Sequence, residues 1–499
     1  MEAILAGFAD AFTLGNIIYL ALGVGIGVIV GALPGLNGPM AIALMVPITY
    51  YMGPLIAVAF LIGLNKGASF GGSIAAILLN TPGTPEAAAT CFDGYPLAKQ
   101  GKGEKALKIS LYASVTGDTF SDLVLIFVAA PIATLALKMG PPEIFAVIVF
   151  ALAMIAGLEA DSLLKGLIGA CLGITFACVG LDPVSAMPRL AFDIMELEEG
   201  ISVITVGIGL LALSEIIVRL EEMKHEAQQG DNGLIFDKNI SKADRTISWA
   251  EYRSCGKTIF RSSLIGTALG ALPGLGATIA SFLGYGAAKR ASKDPDSFGK
   301  GNIEGVAAAE AANNAVIGAN LIPLFTLGIP GNVASAMLIG AFIIHGVTPG
   351  PLLFEENGQL IYGIYGAMLI ANVLNLLIGN IGLRFFAKAL SISSAIVFPI
   401  IMFVCMTGAY MANNSIFNVY MMFGFAFLGF LLKKLKISFI TFIIGFVLTP
   451  MLELSFQQTL IMSRNNPFIV LQRPISCGFI ILTAFFIWRM AKKPAKKIR

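Results

Sequence analysis

The sequence is short of charge and has few of the residues from which soluble active sites are built. Only 13% of its 499 residues are Asp, Glu, Lys or Arg, about half the share found in an ordinary soluble domain. That excludes a chain that keeps itself in solution with a charged surface. The 2 histidines and 6 cysteines are scattered, and no CxxC or Cys/His spacing suits a metal. Cys91, Cys171, Cys178, Cys255, Cys405 and Cys477 read as small buried apolar side chains. No HExxH, GxSxG or kinase signature occurs. Cys255-Gly-Lys-Thr258 ends like a phosphate-binding loop, but Glu251 stands where its first glycine must be. ATP hydrolysis, other enzyme chemistry and a bound cofactor are not expected. Nor is nucleic-acid binding, since the net charge is only +3 and the basic residues sit in short loops.

What is present is apolar. Hydrophobic residues make up 57% of the chain and the mean hydropathy is +0.83, more than one soluble core can hide. The solvent must be a lipid bilayer. Apolar runs of roughly 20 residues, long enough to cross as helices, alternate with short charged loops at 96–108, 181–200, 289–302, 349–359, 433–436 and 453–474. One polar stretch, 221–257, is longer. The first apolar run, 14–33, has no basic segment before it and no clear cleavage site, so it reads as a retained helix. The expected fold is an all-α polytopic membrane protein.

The two sides of the polar stretch repeat each other. Gly31-Ala-Leu-Pro-Gly35-Leu36 recurs as Gly270-Ala-Leu-Pro-Gly274-Leu275, and Gly27 and Gly266 precede the two copies at the same distance. Further on, Asn80-Thr-Pro-Gly-Thr84 answers Gly328-Ile-Pro-Gly-Asn332, and Asn65-Lys66 answers Asn313-Asn314. Internal duplication of this kind is a transporter signature. It divides the chain into a first membrane repeat at 1–220, a cytoplasmic linker at 221–257, and a second repeat at 258–499 with an extra C-terminal helix and a basic tail. Basic loops belong inside. The loop with Lys99, Lys102, Lys105 and Lys108 follows the Pro82-Gly83 motif, whereas its counterpart at 349–359 holds Glu355 and Glu356 and no basic residue. Equivalent loops carry opposite signals, which predicts inverted repeats. The basic linker (Lys238, Lys242, Arg245, Arg253, Lys257) and the tail from Arg489 to Arg499 put the C-terminus in the cytoplasm. The start of the chain, free of Lys and Arg before Lys66, falls on the periplasmic side.

Each repeat contains two apolar segments interrupted by Pro and Gly. Such breaks free backbone groups that lipid cannot satisfy, so they line a cavity or pack inside protein. Freed helix N-termini attract anions and freed carbonyls hold cations. The predicted substrate-binding residues are Pro34, Gly35, Asn37, Lys66, Asn80, Thr81, Pro82, Gly83, Thr84, Pro273, Gly274, Pro330, Gly331 and Asn332, with the breaks meeting near the middle of the membrane. The bland alternative is that they are helix kinks. Lys66 is the expected counter-charge for an anion, unless it snorkels to a surface. Asn65, Asp118, Asp122, Glu310, Asn313 and Asn314 are the ion-coupling candidates. Asp118 and Asp122 share a helix face and suit a proton, while oxygen ligands at the broken helices suit Na⁺. The ladder Gly27, Gly31, Gly35 reads as a helix-packing face. Asn372, Asn375 and Asn380 read as hydrogen bonds between helices, and His345 as structural.

At the Gly31–Leu36 and Gly270–Leu275 motifs, at Asn80-Thr-Pro-Gly-Thr-Pro85, Asp93-Gly-Tyr-Pro96 and Gly328-Ile-Pro-Gly331, the sequence resembles the large membrane subunit of tripartite tricarboxylate transporters. The resemblance runs over nearly the whole chain. It implies a bacterial inner-membrane secondary transporter that imports citrate-like carboxylates with Na⁺ or H⁺. It also implies two partners, a small membrane subunit of about four helices and a periplasmic solute-binding protein. From the residues alone, a passive anion channel or a non-transporting assembly subunit stays open.

Overall fold

The computed structural model describes residues 2–158, 162–226, 242–390, 392 and 394–492. Lys238 of the expected linker and the basic tail at 493–499 lie outside the described residues. The described chain is almost entirely helical, with a single two-residue hairpin pairing Gly180–Leu181 with Pro188–Arg189. Among the described residues, 10 helices are long and apolar enough to cross a membrane.

The first repeat runs through α1 (Glu2–Ala11), α2 (Leu14–Ala32), α3 (Gly38–Met45), α4 (Pro54–Leu79) and the long α5 (Gly103–Ala136). The second runs through α6 (Gly256–Gly270), α7 (Ala277–Ala291), α8 (Ile303–Ala319), α9 (Leu321–Leu327), α10 (Val333–Ile344) and the long α11 (Gly358–Ala389). Apolar helices at Ser394–Asn413, Ile416–Lys434, Phe439–Met462 and Pro474–Ala491 follow.

The two copies fold alike down to single dihedrals. Gly35 (φ 91°) and Gly274 (φ 84°) make the turns after α2 and α6 in the left-handed region, where a side chain is disfavoured. Asn80 (φ 56°) and Gly328 (φ 71°) end α4 and α9 in that same region, with asparagine standing in for glycine as it does at such caps. Gly83 and Gly331 differ. Neither has a positive φ, so their dihedrals do not demand glycine. Close approach demands it: a Cβ on Gly83 would lie 2.2 Å from the Gly31 carbonyl oxygen, and one on Gly331 would lie 2.6 Å from Asn320 Oδ1.

Gly27 and Gly31 of the glycine ladder form a packing face, as their spacing suggests; Gly35 does not, because it lies past the end of α2 in the left-handed turn, where a Cβ would meet Arg219 Nε at 2.6 Å. A Cβ on Gly27 would meet Leu64 O at 2.1 Å, and one on Gly31 would meet Ala68 O at 2.0 Å. From the other side, a Cβ on Gly67 or Gly71 of α4 would lie 2.2 or 2.4 Å from Val24 O or Val28 O. The second copy repeats the contact: a Cβ on Gly266 would lie 2.1 Å from Ala312 O. In lipid no hydrophobic force draws helices together, so backbone proximity of this kind supplies the dispersion contacts that do.

The copies also exchange contacts. The start of α5 meets the end of α11 through Glu104 and Arg384 (2.9 Å), and further along Thr119 on α5 meets Asn372 on α11. These two equivalent helices therefore run antiparallel. Asp10 of α1 accepts from Gln359 at the start of α11, while Lys105 at the start of α5 pairs with Glu251, just before α6. Gln100 reaches Lys300 O at 2.7 Å, so the two basic loops share one face.

Cys255 and Cys405 are buried, but Cys171 is exposed and Cys91, Cys178 and Cys477 are half-buried. The expectation that all six are buried is corrected: Cys171 lies on the open face of the helix Leu163–Ala177, where lipid tolerates a thiol as readily as a core does.

Gly67→Val is expected to destabilise the protein by about 1–3 kcal/mol through overpacking. Gly25→Val, at a helical glycine with open space around it, should change little. Thermal melts of the two purified variants in detergent check this; equal melting temperatures would remove the glycine interface as a stabilising element.

Candidate functional site

A cavity of about 150 Å³ lies between the repeats. Asn37, Pro39, Asn65, Ser69, Pro85 and Glu86 line it from the first repeat; Gly276, Ala277, Thr278, Val316, Ile317, Asn320, Asn332, Val333 and Ala334 line it from the second. Leu211, Phe439 and Ile440 close it. Ten of the lining residues fall into five equivalent pairs. Asn37 and Pro39 correspond to Gly276 and Thr278 by their distance from the Ala-Leu-Pro-Gly motifs. Ser69, Pro85 and Glu86 correspond to Ile317, Val333 and Ala334 by their distance from the second motif pair.

Four helix N-termini open onto this space. Asn37 caps α3, and its side chain accepts from the Met40 N–H at 3.0 Å. Gly276 precedes α7. Pro85 begins a tight helical segment, Pro85–Thr90, that runs on into the helix Cys91–Lys99. Asn332 caps α10 in a reciprocal capping box with Ser335. The starts of α3, α7 and α10 carry N–H groups without an intrahelical partner and a partial positive charge; at the Pro85 start the proline has no N–H, the Ala87 N–H donates to Thr84 O and the Glu86 carboxylate sits against its own N–H. Among the described residues that line the cavity, none is Lys, Arg or His.

The predicted site residues divide. Asn37, Asn65 and Asn332 line the cavity. Pro34, Gly35, Pro273 and Gly274 form the turns that aim α3 and α7 at it, and Gly274 N–H donates to Gly331 O at 2.9 Å, joining the two breaks of the second repeat. Gly83 N–H donates to Gly72 O at 3.1 Å in the first repeat. Thr84, Pro330 and Gly331 are buried beside the helix starts. Asn80 and Thr81 are exposed and, with Pro82, are absent from the lining. The reason is the left-handed turn at Asn80, which carries the chain outward before it re-enters at Thr84.

Lys66 is also absent from the lining. It is wholly buried, and its Nζ sits 2.9 Å from Asp118, 2.8 Å from Asp122 and 2.9 Å from Asn372 Oδ1. The expectation that its charge faces the substrate gives way to this arrangement, because two carboxylates already hold it. Asn372 Nδ2 adds a bond to Asp122 at 2.7 Å and another to Thr119 at 3.1 Å. Asn380 accepts from Tyr112 at 3.2 Å, so both asparagines bind between helices as expected. Asn375 is buried with neither amide atom hydrogen-bonded.

Asp118 and Asp122 continue a stripe that the sequence shows only when the whole helix is read. Ser110, Ser114, Asp118 and Asp122 follow at four-residue spacing on one face of α5, and all are buried. Ser110 meets Ser73 at 2.7 Å. Ser114 donates to Glu310 at 3.0 Å and accepts from Asn314 at 2.9 Å. Thr90 also donates to Glu310. Asn313 accepts from Ser69 at 2.8 Å, and Ser69 lines the cavity. The polar core therefore abuts the cavity wall.

The family model described as the tripartite tricarboxylate transporter TctA family matches residues 17–444. This chain belongs to that family. Among curated proteins it is 36% identical, over 95% of its length and 93% of the relative's, to an uncharacterized 52.8 kDa protein in the TAR-I ttuC' 3' region of Agrobacterium vitis. It is 38% identical to an uncharacterized protein in the TAR-II ttuC' 3' region of that organism, over 43% of this chain and 89% of the relative. No solved structure matches it. Membership makes the chain a multi-pass membrane subunit of a tripartite transport system.

Several lining residues escaped the sequence reading: Pro39, Ser69, Glu86, Thr278 and Asn320. Glu86 had a signal. Thr84-Pro85-Glu86 is a helix start, with a capping hydroxyl residue, proline in the first turn and an acid beside the positive end.

Lys66→Ala leaves Asp118 and Asp122 buried without their cation and is expected to cost about 3–5 kcal/mol of stability. Lys66→Met combined with Asp122→Asn should recover much of that loss, because one buried carboxylate goes with the ammonium. A double-mutant cycle on melting temperature checks the coupling; additive effects would deny it.

Proposed function

We propose that the cavity is the substrate site of a secondary transporter that imports a citrate-like carboxylate with a cation across the bacterial inner membrane. One observation carries this: four helix N-termini in two equivalent pairs surround a single cavity. A carboxylate there accepts hydrogen bonds from free N–H groups and meets no permanent side-chain cation that would hold it too tightly for release. The partial charges at these helix starts, at most about half a unit each, fall short of a tricarboxylate's three negative ones. Glu86 lowers that further. Binding therefore needs an added cation, which is the basis of coupling to Na⁺ or H⁺.

We infer that the repeats are inverted. The antiparallel course of α5 and α11, together with the opposite charge of their preceding loops, supports a pseudo-two-fold axis in the membrane plane. Breaks related by that axis exchange roles between an outward-open and an inward-open state. The shared face of the loops at 96–108 and 289–302 is then cytoplasmic. The N-terminus lies in the periplasm and the C-terminus in the cytoplasm. A periplasmic binding protein delivers the substrate, and a small membrane subunit completes the complex.

Uptake of radiolabelled citrate into proteoliposomes holding the complete complex tests the reading. Accumulation against a gradient is expected, with collapse when Na⁺ and the proton gradient are both removed. Persisting, non-accumulative flux would make the chain a channel. Asn332→Ala, which removes the cap from one of the four helix starts, should weaken citrate binding about fivefold, for about 1 kcal/mol at a helix end. Unchanged affinity would place the anion elsewhere.

A further inference from the structure

We propose that Glu86 is the group through which the co-transported cation enters the substrate site. This rests on the cavity being the anion site, and it assigns a role to the one ionisable side chain that faces it. Among the described lining residues, Glu86 alone carries a charge. It stands in the first turn of the Pro85–Thr90 segment, where its carboxylate occupies its own N–H, a donor that an incoming carboxylate would otherwise find. A substrate anion and an ionised Glu86 compete for that helix end and repel each other across a cavity of about 150 Å³. Neutralising Glu86 removes the repulsion. A proton on the carboxyl does this, and so does Na⁺ lodged between the carboxylate and the substrate. In either case one cation enters with each anion.

A second observation points to a ligand at the same place. Asn320 lines the cavity, is 2% exposed, and has neither its Oδ1 nor its Nδ2 hydrogen-bonded. A buried amide without partners is costly, so this side chain is set to engage something that arrives. Its oxygen suits a cation and its N–H₂ suits a carboxylate. Thr84, next to Pro85, is buried beside the Glu86 carboxylate.

The surroundings leave Glu86 without a protein cation. On α7 the titratable groups are Tyr285, bonded to Asp93, and Lys289 and Arg290 in the last turn. On α8 they are Glu304, bonded to Thr258, and Glu310, close enough to Glu86 for the two charges to repel. On α4, Lys66 is held by Asp118 and Asp122. Cys91, Asp93, Tyr95 and Lys99 lie further along the helix that Glu86 begins. The helix that supplies Leu211 carries Glu215, which pairs with Arg219 and Lys433. None of these groups lines the cavity. The second repeat has Ala334 at the position equivalent to Glu86, so the pseudo-symmetric site carries one acid and not two.

Citrate binding to the purified full-length chain in nanodiscs, measured by calorimetry, tests the assignment in two arms: Na⁺ against choline at fixed pH, and a pH series without Na⁺. Wild-type affinity should rise at least tenfold with Na⁺ in the first arm or with acid in the second, and the arm that responds identifies the cation. Glu86→Gln should bind citrate with that response flattened to under twofold, and should exchange substrate across proteoliposomes without accumulating it. Glu86→Asp should keep a response, with shifted affinity. Labelling of wild-type Glu86 by a hydrophobic carbodiimide, read by peptide mass spectrometry, should fall when Na⁺ and citrate are present; this readout needs no variant to fold. A Glu86→Gln protein that keeps the full wild-type cation response, or carbodiimide labelling that ignores both ligands, overturns the role of Glu86 and leaves the anion cavity standing. Absence of citrate binding to the wild-type chain under every condition removes the cavity reading and the Glu86 role together.

Discussion

A backbone amide that is not hydrogen-bonded cannot be left in hydrocarbon, and that constraint organises this structure. A continuous helix satisfies it internally, and most of the described helices do so. Each repeat breaks the rule at two places, and every break creates a helix start whose first N–H groups have no intrahelical partner. Isolated in lipid, each start would be costly. Gathered around one cavity, the four share a space and a potential partner. Asn37 and Asn332 satisfy part of the deficit with their own side chains, and the remaining N–H groups are what the proposed anion would find. On that proposal, affinity for a carboxylate follows from backbone economy in the membrane, without a dedicated arginine.

The packing exists to hold those breaks in position. Two-sided glycine contacts between α2 and α4 bring the backbones so close that a Cβ would lie about 2 Å from a carbonyl oxygen. Rotation or sliding of either helix is then resisted by hard contacts. The Gly35 turn follows directly from α2, and the Asn80 turn directly from α4, so locking the pair also fixes the two turns. The same logic operates in the second copy between α6 and α8. The ionic core has a different character. Lys66 lies between two carboxyl groups, Asp118 and Asp122, and Glu310 has only hydroxyl and amide partners. Buried ion pairs are weak contributors to net stability, so stability alone is a poor reason for such a cluster. Its position behind Ser69 and Asn313, at the cavity wall, is a better one.

Much of this was legible in the sequence and some was not, for physical reasons. Composition and the length of apolar runs disclose a polytopic helical protein, because the bilayer sets both. The duplicated motifs disclose the breaks, because only Pro, Gly and Asn relieve the local strain. Which side of a break faces the cavity was not legible. Asn80 and Thr81 belong to the motif as fully as Thr84 does, yet a left-handed residue sends them outward, and the direction of a turn depends on what packs against it. Lys66 misled for a related reason. An intramembrane lysine announces a partner but not its identity, and the serine and aspartate stripe on α5 that names the partner lies some fifty residues on.

Glu86 carries the most general lesson about charge in such a site. An acid at a helix N-terminus is ordinarily a stabilising neighbour of the dipole, and in a soluble protein it would pass unremarked as part of a capping pattern. Here that helix start is shared with the cavity, and the acid holds the positive end in reserve. Under the role proposed for Glu86, an anion would enter only when the acid gives up its claim, which requires a cation. Coupling then needs no separate machinery linking an ion site to a substrate site, because the two ligands meet at one helix terminus and each alone is opposed by what the other relieves. Reciprocity follows from linkage: a cation that strengthens substrate binding is itself bound more tightly when substrate is present, by the same factor.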